Sequence, residues 1–379
     1  MTAPFLLMQA VGKAETPFHI GDGRSIGVIK YTRPYIPGSA IRGSVGLFLK
    51  RISCGLKEGE HHGEGEECVY HRLIEDEEGG RANAVFRYAY PIHIGCGGVF
   101  YPSAKTLSVC RNPQCNFIVN TFLTPLSCPQ CGRTLRPAPR YQCSKCQKMV
   151  NVPVQTFRVT MTSIDRTRNT AAYVIDSEGE KHGTLHSLEL IDSGSQFKFE
   201  ILLDSKAEEQ VEILRKALES AVSEDGIGAG KSRGLGKLRI ENTTVTEIGP
   251  ETVHRKAEMS RSEEAVLRTL TPLVTEEEQT LRMETILEAA RRSYSQVFRM
   301  GKPSLKEPRI DGERFRFMAY GGWSLKENRR RRLRSALEPG SSYHLTGVNH
   351  ELRLALSALE QCHALGGFKT HGCGQIRIE

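Results

Sequence analysis

The chain reads GIGAGKSRGLGKLRIE over Gly226–Glu241 and GGFKTHGCGQIRIE over Gly366–Glu379. Set over one another without a gap, Lys231 falls on Lys369, Ser232 on Thr370, Gly234 on Gly372 and Gly236 on Gly374. Leu238 falls on Ile376, and Arg239, Ile240 and Glu241 recur as Arg377, Ile378 and Glu379. Before the first copy, KAEEQVEILRKALESAVSED carries Val211, Ile213, Leu214, Leu218 and Val222 at helical spacing. Before the second, HELRLALSALEQCHAL has the same periodicity, and KLRIE and QIRIE then alternate as strands do. A helix–glycine loop–strand unit used twice predicts two related α+β domains.

Length and composition agree with this. A chain of 379 residues is long for one domain and comfortable for two. Hydrophobic residues make up 39% and charged residues 25%, a balance with ample material for packed cores. No stretch approaches the ~18 consecutive apolar residues of a membrane span. MTAPFLLMQAVGKAE lacks a basic start and a long apolar core, so a cytoplasmic protein is expected. The net charge is +8, yet residues 289–334 alone hold 14 Lys/Arg against 4 Asp/Glu. The basic excess therefore sits in one region, and elsewhere the chain is slightly acidic.

Along the chain, FLLMQAVG reads as an opening strand, and YIPGSAIRGSVGLFLKRI as a helix entered at Pro37-Gly38-Ser39 with Ser39 as N-cap. Residues 55–83 form an acidic, glycine-rich loop whose His61, His62, Cys68 and His71 match no metal-site spacing. TFRVTMTSIDRTRNTAAYVI and TLHSLELIDSGSQFKFEILL read as strands. SEEAVLRTLTPLV and EEEQTLRMETILEAARRS read as an acidic amphipathic helix within a helical connector, 242–285. FRFMAYGGWSL is strand-like, and the arginine run ENRRRRLRSALE after it reads as a helix. The expected division is 1–241 with a cysteine-rich insertion at 108–148, the connector 242–285, and 286–379.

Glycines at a helix–strand junction let backbone N–H groups approach a phosphate, because no side chain intervenes. Gly228, Gly230, Gly234 and Gly236 surround Lys231, Ser232 and Arg233, which add two cations and a hydroxyl. Gly372 and Gly374 follow Lys369, Thr370 and His371 in the second copy. This is not a Walker A loop, which runs strand–loop–helix and closes its glycine run with GK[ST]. Arg329, Arg330 and Arg331 belong to the arginine run; guanidinium groups fit phosphate bidentately, making an RNA backbone the natural partner. Trp323 and Phe317 are candidates for base stacking or for the core.

Eleven cysteines in a cytoplasmic protein argue for metal before disulfides. Two knuckles of paired cysteines complete a tetrahedral Zn²⁺ site. Cys128 and Cys131, in CPQCG, form one knuckle; its partner is either Cys110/Cys115 or Cys143/Cys146, and spacing does not choose. The expected role is structural: a zinc ribbon that orders an insertion and offers Arg111, Arg133, Arg136 and Arg140 to RNA or a neighbouring subunit. Cys54, Cys96, Cys362 and Cys373 read as packing thiols.

IPGSAIRG (Ile36–Gly43) together with GIGAGKSRGLGKLRI resembles the RAMP superfamily of CRISPR-associated proteins. The resemblance implies ferredoxin-like, RRM-type domains, each with a glycine-rich loop near its end, and covers both halves. The nearest pattern is the large subunit of type III-D effector complexes, which caps the 5′ repeat-derived handle of the crRNA. YIPGS-x-hRG, the cysteine-rich insertion and Ser163-Ile164-Asp165-Arg166 carry that likeness. It implies RNA contact at Ser39, Arg42, Lys231, Ser232, Arg233, Lys369 and Thr370, and leans towards Cys110/Cys115 as the partner knuckle. Subunits that cleave target RNA carry an Asp where this chain aligns Ser25, with Asp22 three residues earlier. His19, His93, His186, His344 and His371 are scattered, and only His19 and His371 suit a metal-independent endoribonuclease.

The resulting expectation is a non-catalytic crRNA-binding subunit of a type III CRISPR effector complex, binding Zn²⁺, crRNA and neighbouring subunits and meeting target RNA indirectly. The alternatives are a RAMP endoribonuclease that processes crRNA or cleaves target RNA, and a zinc-ribbon scaffold that binds only proteins.

Overall fold

The computed structural model describes residues 3–55, 68–75, 83–120, 127–175, 177–259, 262–275, 281–324, 329–363 and 365–379. The protein is a mixed α/β, sheet-rich molecule with several helices. The strand Phe5–Ala14 (β1) lies one place in from the edge of the first large sheet. It pairs antiparallel with Gln196–Asp204 (β3) on one side and Leu238–Ile248 (β4) on the other. Tyr90–His93 (β2) follows β3, and the sheet continues through Gly98–Pro102, Tyr141–Cys143 and Met149–Val150.

Alternation explains why β1 is covered on both faces. Leu6, Met8 and Ala10 point to one face, where they meet Phe197, Phe199 and Ile201 of β3. The helices Gly38–Ser53 (α1) and Val211–Ser220 (α2) cover that face with Ile41, Val45 and Leu49, and with Leu214 and Leu218. Leu7, Leu202 and Ile248 pack on the other face. A 3-10 turn leads into α2, its first N–H groups capped by the Asp204 carboxylate, which accepts from the N–H of Lys206. A separate four-stranded sheet, built from Gly21–Ile26, Ile29–Thr32, Leu185–Ile191 and Thr156–Thr162, meets this core through Phe18 and Ile191.

The helix Pro250–Glu258 (α3) begins with proline at its first turn, where a missing N–H costs nothing. The strands that follow repeat the earlier order. Glu264–Thr269 (β5) is flanked by Ser342–Thr346 (β7) and Ile376–Ile378 (β8), and Arg309–Arg314 (β6) pairs with β7. The helices Met283–Phe298 (α4) and His350–Cys362 (α5) supply Ile286, Leu287, Leu352, Leu356 and Leu359 to a core with Leu267, Leu345 and Ile376. β1 lies between β3 and β4 as β5 lies between β7 and β8, and a helix follows β1 and β3 as one follows β5 and β7.

Several expectations need correction. SEEAVLRTLTPLV is not a helix: Glu264–Thr269 is the central strand β5, and Ala265, Leu267, Arg268, Thr269 and Leu270 are all buried. A strand buried on both faces reads as an unbroken apolar run, which helical periodicity imitates. The connector therefore contains the first strand of the C-terminal sheet. The arginine run is also extended, with Arg329–Arg330 and Arg334–Leu337 in strands. Ser39 does not cap α1; Pro37 holds that position, with no side-chain hydrogen bond. Most of the acidic loop, including His61 and His62, lies outside the described residues, as does the Trp323 side chain. Among the described residues no helix is long and apolar enough to cross a membrane.

Candidate nucleic-acid interface and metal centres

The two glycine loops adopt one backbone. In the first, Lys231–Arg233 forms a single 3-10 turn between the left-handed residues Gly230 and Gly234. In the second, Lys369–His371 forms the same turn between the left-handed Phe368 and Gly372. The closing bonds correspond: Gly234 N–H donates to Lys231 O at 3.0 Å, and Gly372 N–H to Lys369 O at 2.8 Å.

The match extends to the segment each loop rests on. Thr16-Pro17 anchors the first, its hydroxyl accepting from Lys237 N–H at 3.0 Å, while Gly236 N–H donates to Pro17 O at 3.0 Å. Thr271-Pro272 does the same for the second, at 2.9 Å to Gln375 N–H and 2.9 Å from Gly374 N–H. The bonds Ala229 N–H to His19 O and Gly367 N–H to Val274 O, both 2.9 Å, complete the correspondence. The Thr-Pro pair was a signal legible in the sequence and unused there.

Their surroundings are opposite. Lys231, Ser232, Arg233 and Gly234 are exposed. Lys231 Nζ lies 3.3 Å from Ser44 Oγ on α1, and partial burial, with the Arg51 charge beside it, lowers its pKa. Among the described residues no carboxylate pairs with Lys231, and a cation set beside another cation favours an arriving anion. Arg51 itself pairs with Asp225. Arg233 reaches Met161 on the neighbouring four-stranded sheet. Gly228 and Gly236 face inward, where a Cβ would strike the backbone of His19 and of Ile227.

The second loop is interior. Thr370, His371, Gly372 and Gly374 are buried, with His371 only 1% exposed. A Cβ on Gly372 would collide with Phe86 O, and one on Gly38 with both Phe86 O and His371 O. Arg42, expected to touch RNA, is likewise buried: it donates to Ile74 O and its Nη1 lies 3.2 Å from His371 Nε2. Thr370, Gly372, Gly374 and Arg42 thus lie inside the protein rather than facing solvent, and Gly372 and Arg42 make contacts between the two halves; Lys369 is half-buried. Arg331 turns inward onto His371 and over the Phe368 ring, whereas Arg329, Arg330 and Ser39 are exposed.

The acid–base candidates are all engaged. Burial, then the Arg42 and Arg331 charges, push the His371 pKa well below its ordinary value, so the ring stays neutral. His19 is buried with Nδ1 2.8 Å from Glu189 O. The Asp22 carboxylate accepts from the backbone N–H and the guanidinium of Arg24, at 2.8 and 2.6 Å.

The cysteines resolve into two groups. Cys110, Cys115, Cys128 and Cys131 converge, with Cys110–Cys131 at 3.4 Å and Cys115–Cys128 at 3.7 Å between sulfurs. Thiolates around Zn²⁺ at about 2.3 Å stand about 3.8 Å apart, so this quartet fits a metal ion. Arg111, Arg133, Arg136 and Arg140 are exposed around it. Cys143 and Cys146 do not join this quartet; they meet His93 and Cys96. Cys96 is therefore not a simple packing thiol, and the pattern HIGCGG, a His-x-x-Cys knuckle, was the overlooked signal.

The family described as the RAMP superfamily matches residues 12–239. No curated protein matches the sequence. Among solved structures, a chain of the type III-B Cmr-beta complex bound to cognate target RNA is 15% identical over 64% of this chain and 61% of that chain, with a TM-score of 0.34. The present chain thus spans about three fifths of that relative. A chain of the same complex with target RNA and AMPPnP is 10% identical over 89% of this chain and 86% of its own, with a TM-score of 0.39. A Cas6 product complex is 11% identical over the full length of both chains, with a TM-score of 0.43.

Proposed function

This chain belongs to the RAMP superfamily, and we propose that it is a non-catalytic crRNA-binding subunit of a type III CRISPR effector complex. Within that class it caps the 5′ repeat-derived handle, as the large subunit of type III-D assemblies does, and bridges neighbouring subunits. Its two halves are ferredoxin-like, RRM-type domains, the first carrying a zinc-ribbon insertion; the recurring strand order of the two sheets supports this division, with the second domain opening at β5.

The observation that carries the reading is the exposed turn Lys231–Arg233. It places two cations and a hydroxyl side by side on a glycine-flanked backbone, next to Ser44 and Arg51 of α1. Such an arrangement grips phosphate oxygens by charge-assisted hydrogen bonds without reading a base. Ser39, Arg329 and Arg330 extend the polar surface available to an RNA backbone. The second loop serves as the internal counterpart, fastening the domains. A structural rather than cleaving role is supported by Asp22, held by Arg24, and by His371, buried and neutral.

The test is binding of repeat-derived handle RNA to the purified protein while salt is raised. Phosphate contacts release counterions, so affinity should fall steeply with salt. Lys231→Ala with Arg233→Ala should weaken binding about 10- to 100-fold and reduce the salt slope by about two. Affinity that is flat with salt, or unmoved by the double substitution, overturns the RNA assignment. Cleavage of precursor or target RNA by the assembled complex, abolished in Asp22→Ala, would overturn the non-catalytic one.

A further inference from the structure

We infer that His93, Cys96, Cys143 and Cys146 form a second metal site, separate from the four-cysteine quartet, whose ion pins the surface on which the C-terminal sheet docks. Neither the zinc-ribbon reading nor the RNA reading requires this site, so its fate is independent of theirs.

The donors converge from two knuckles on different strands. His93 ends β2, and Cys96 follows in the turn that leads into Gly98–Pro102. Cys143 ends the strand Tyr141–Cys143, which pairs with Gly98–Pro102 through Tyr141↔Pro102 and Cys143↔Phe100, and Cys146 lies in the next turn. His93 Nδ1 stands 3.2 Å from the sulfurs of both Cys96 and Cys146, and Cys96 and Cys143 are 3.4 Å apart. All four donor atoms lie within 4.8 Å of one another. Gly98 leaves room for this: a Cβ there would collide with the Cys143 sulfur. Its N–H points at the Cys96 sulfur, 3.4 Å away, as backbone amides do around ligating thiolates. Three thiolates and one imidazole, with no open position, make a structural donor set of the Zn²⁺ class.

What distinguishes the two sites is what they hold. Around the four-cysteine quartet, Cys110 and Cys128 pack, among the described residues, in one apolar cluster with Leu135, Cys115, Phe117 and Val119 of the same insertion. Around the second, Cys143 and Cys96 belong to one cluster with Tyr90, Val99, Phe100, Tyr101 and Tyr141, and Leu270 from beyond β5 is inserted among them. The same strands receive the C-terminal sheet's polar contacts. Arg268 Nη1 donates to Pro102 O at 2.6 Å, the Tyr90 hydroxyl donates to Leu270 O, and Lys105 N–H donates to Gly340 O at 2.8 Å. Arg377 lies over the Tyr101 ring at 4.2 Å. The strand Gly98–Pro102 thus meets the ligands at one end and the docking surface at the other. Binding an ion to the folded arrangement stabilises it by mass action, and here the stabilised unit includes the docking platform.

Elemental analysis of the full chain purified in Zn²⁺-containing medium should find two ions per chain. His93→Ala with Cys146→Ser should retain one, as should Cys115→Ser with Cys131→Ser. Hydrogen exchange separates the roles: the amide of Lys105 should exchange at least tenfold faster in the first variant and at the native rate in the second. Should the first variant not fold, graded chelation of the native chain gives the same reading, since Lys105 protection should drop with loss of one ion and not the other. An ion content that does not fall in the His93/Cys146 variant, or equal Lys105 exchange on loss of either ion, overturns the inference.

Discussion

The turns Lys231–Arg233 and Lys369–His371 share their dihedral pattern, their closing hydrogen bonds and their Thr-Pro anchor, yet one faces solvent and the other is walled in by Gly38, Phe86 and Arg42. The difference teaches that a loop's backbone and its task are separately encoded. Left-handed residues at both ends, glycine at three of the four, and 3-10 bonds determine the turn within about six residues. Whether that turn offers its side chains to a polyanion depends on which surface closes over it.

The comparison can be broken most forcefully at Gly234 and Gly372, equivalent residues with φ of +77° and +81°. Gly372→Ala adds a collision with Phe86 O and with the Tyr88 ring, 2.9 Å away, to the left-handed strain. It should cost about 3 kcal/mol or more in urea unfolding. At Gly234 a Cβ meets nothing within 4 Å, so Gly234→Ala should cost only about 1 kcal/mol. Equal losses would mean that the second loop is not packed as described.

A second contrast is in pH. Burial, then the Arg87 charge, push the His363 pKa down to about 3, and its Nε2–H donates to Cys373 O at 2.7 Å, just behind the second loop. His371 moves in the same direction. The unfolded chain protonates these rings near pH ~6.5 and the folded one does not, so the unfolded state binds more protons below that value. Stability should be independent of these groups above about pH 6.5 and fall as pH drops, by up to about 1.4 kcal/mol per unit for each ring. Urea midpoints between pH 7.5 and 5 check this. His363→Gln with His371→Gln should flatten the dependence, whereas Lys231→Ala should leave it unchanged.

The smallest effect sharpens the comparison at the anchors. Thr271→Val leaves the buried N–H of Gln375 without its partner, at about 1–3 kcal/mol. Thr16→Val removes the same bond from Lys237, which is exposed, so water replaces the hydroxyl and the loss should stay below about 1 kcal/mol. Thermal unfolding of the two variants side by side measures the gap.

Much of the fold was legible because its signals are local. The opening strand, α2, α5 and the strands around Thr156–Thr162 and Leu185–Ile191 follow from side-chain periodicity. The first strand of the C-terminal sheet was not: Ala265, Leu267 and Leu270 imitate a helical stripe, and only burial on both faces shows them to be extended. The arginine run failed for a related reason, since charge says nothing about backbone conformation. Of the candidate site, the exposed turn and the Cys110/Cys115/Cys128/Cys131 quartet were visible as patterns. The pairing of His93-x-x-Cys96 with Cys143-x-x-Cys146 required two strands to be laid side by side.

The sequence alone determined the paired turns and the Cys/His knuckles, because positive φ at the turn ends and the short reach of i→i+3 bonds act within a few residues. Only the tertiary structure decided that Lys231 meets solvent while Thr370 does not, and which knuckles converge. Burial and convergence depend on which distant surfaces exclude water from one another, and that is settled by the packing of both sheets together.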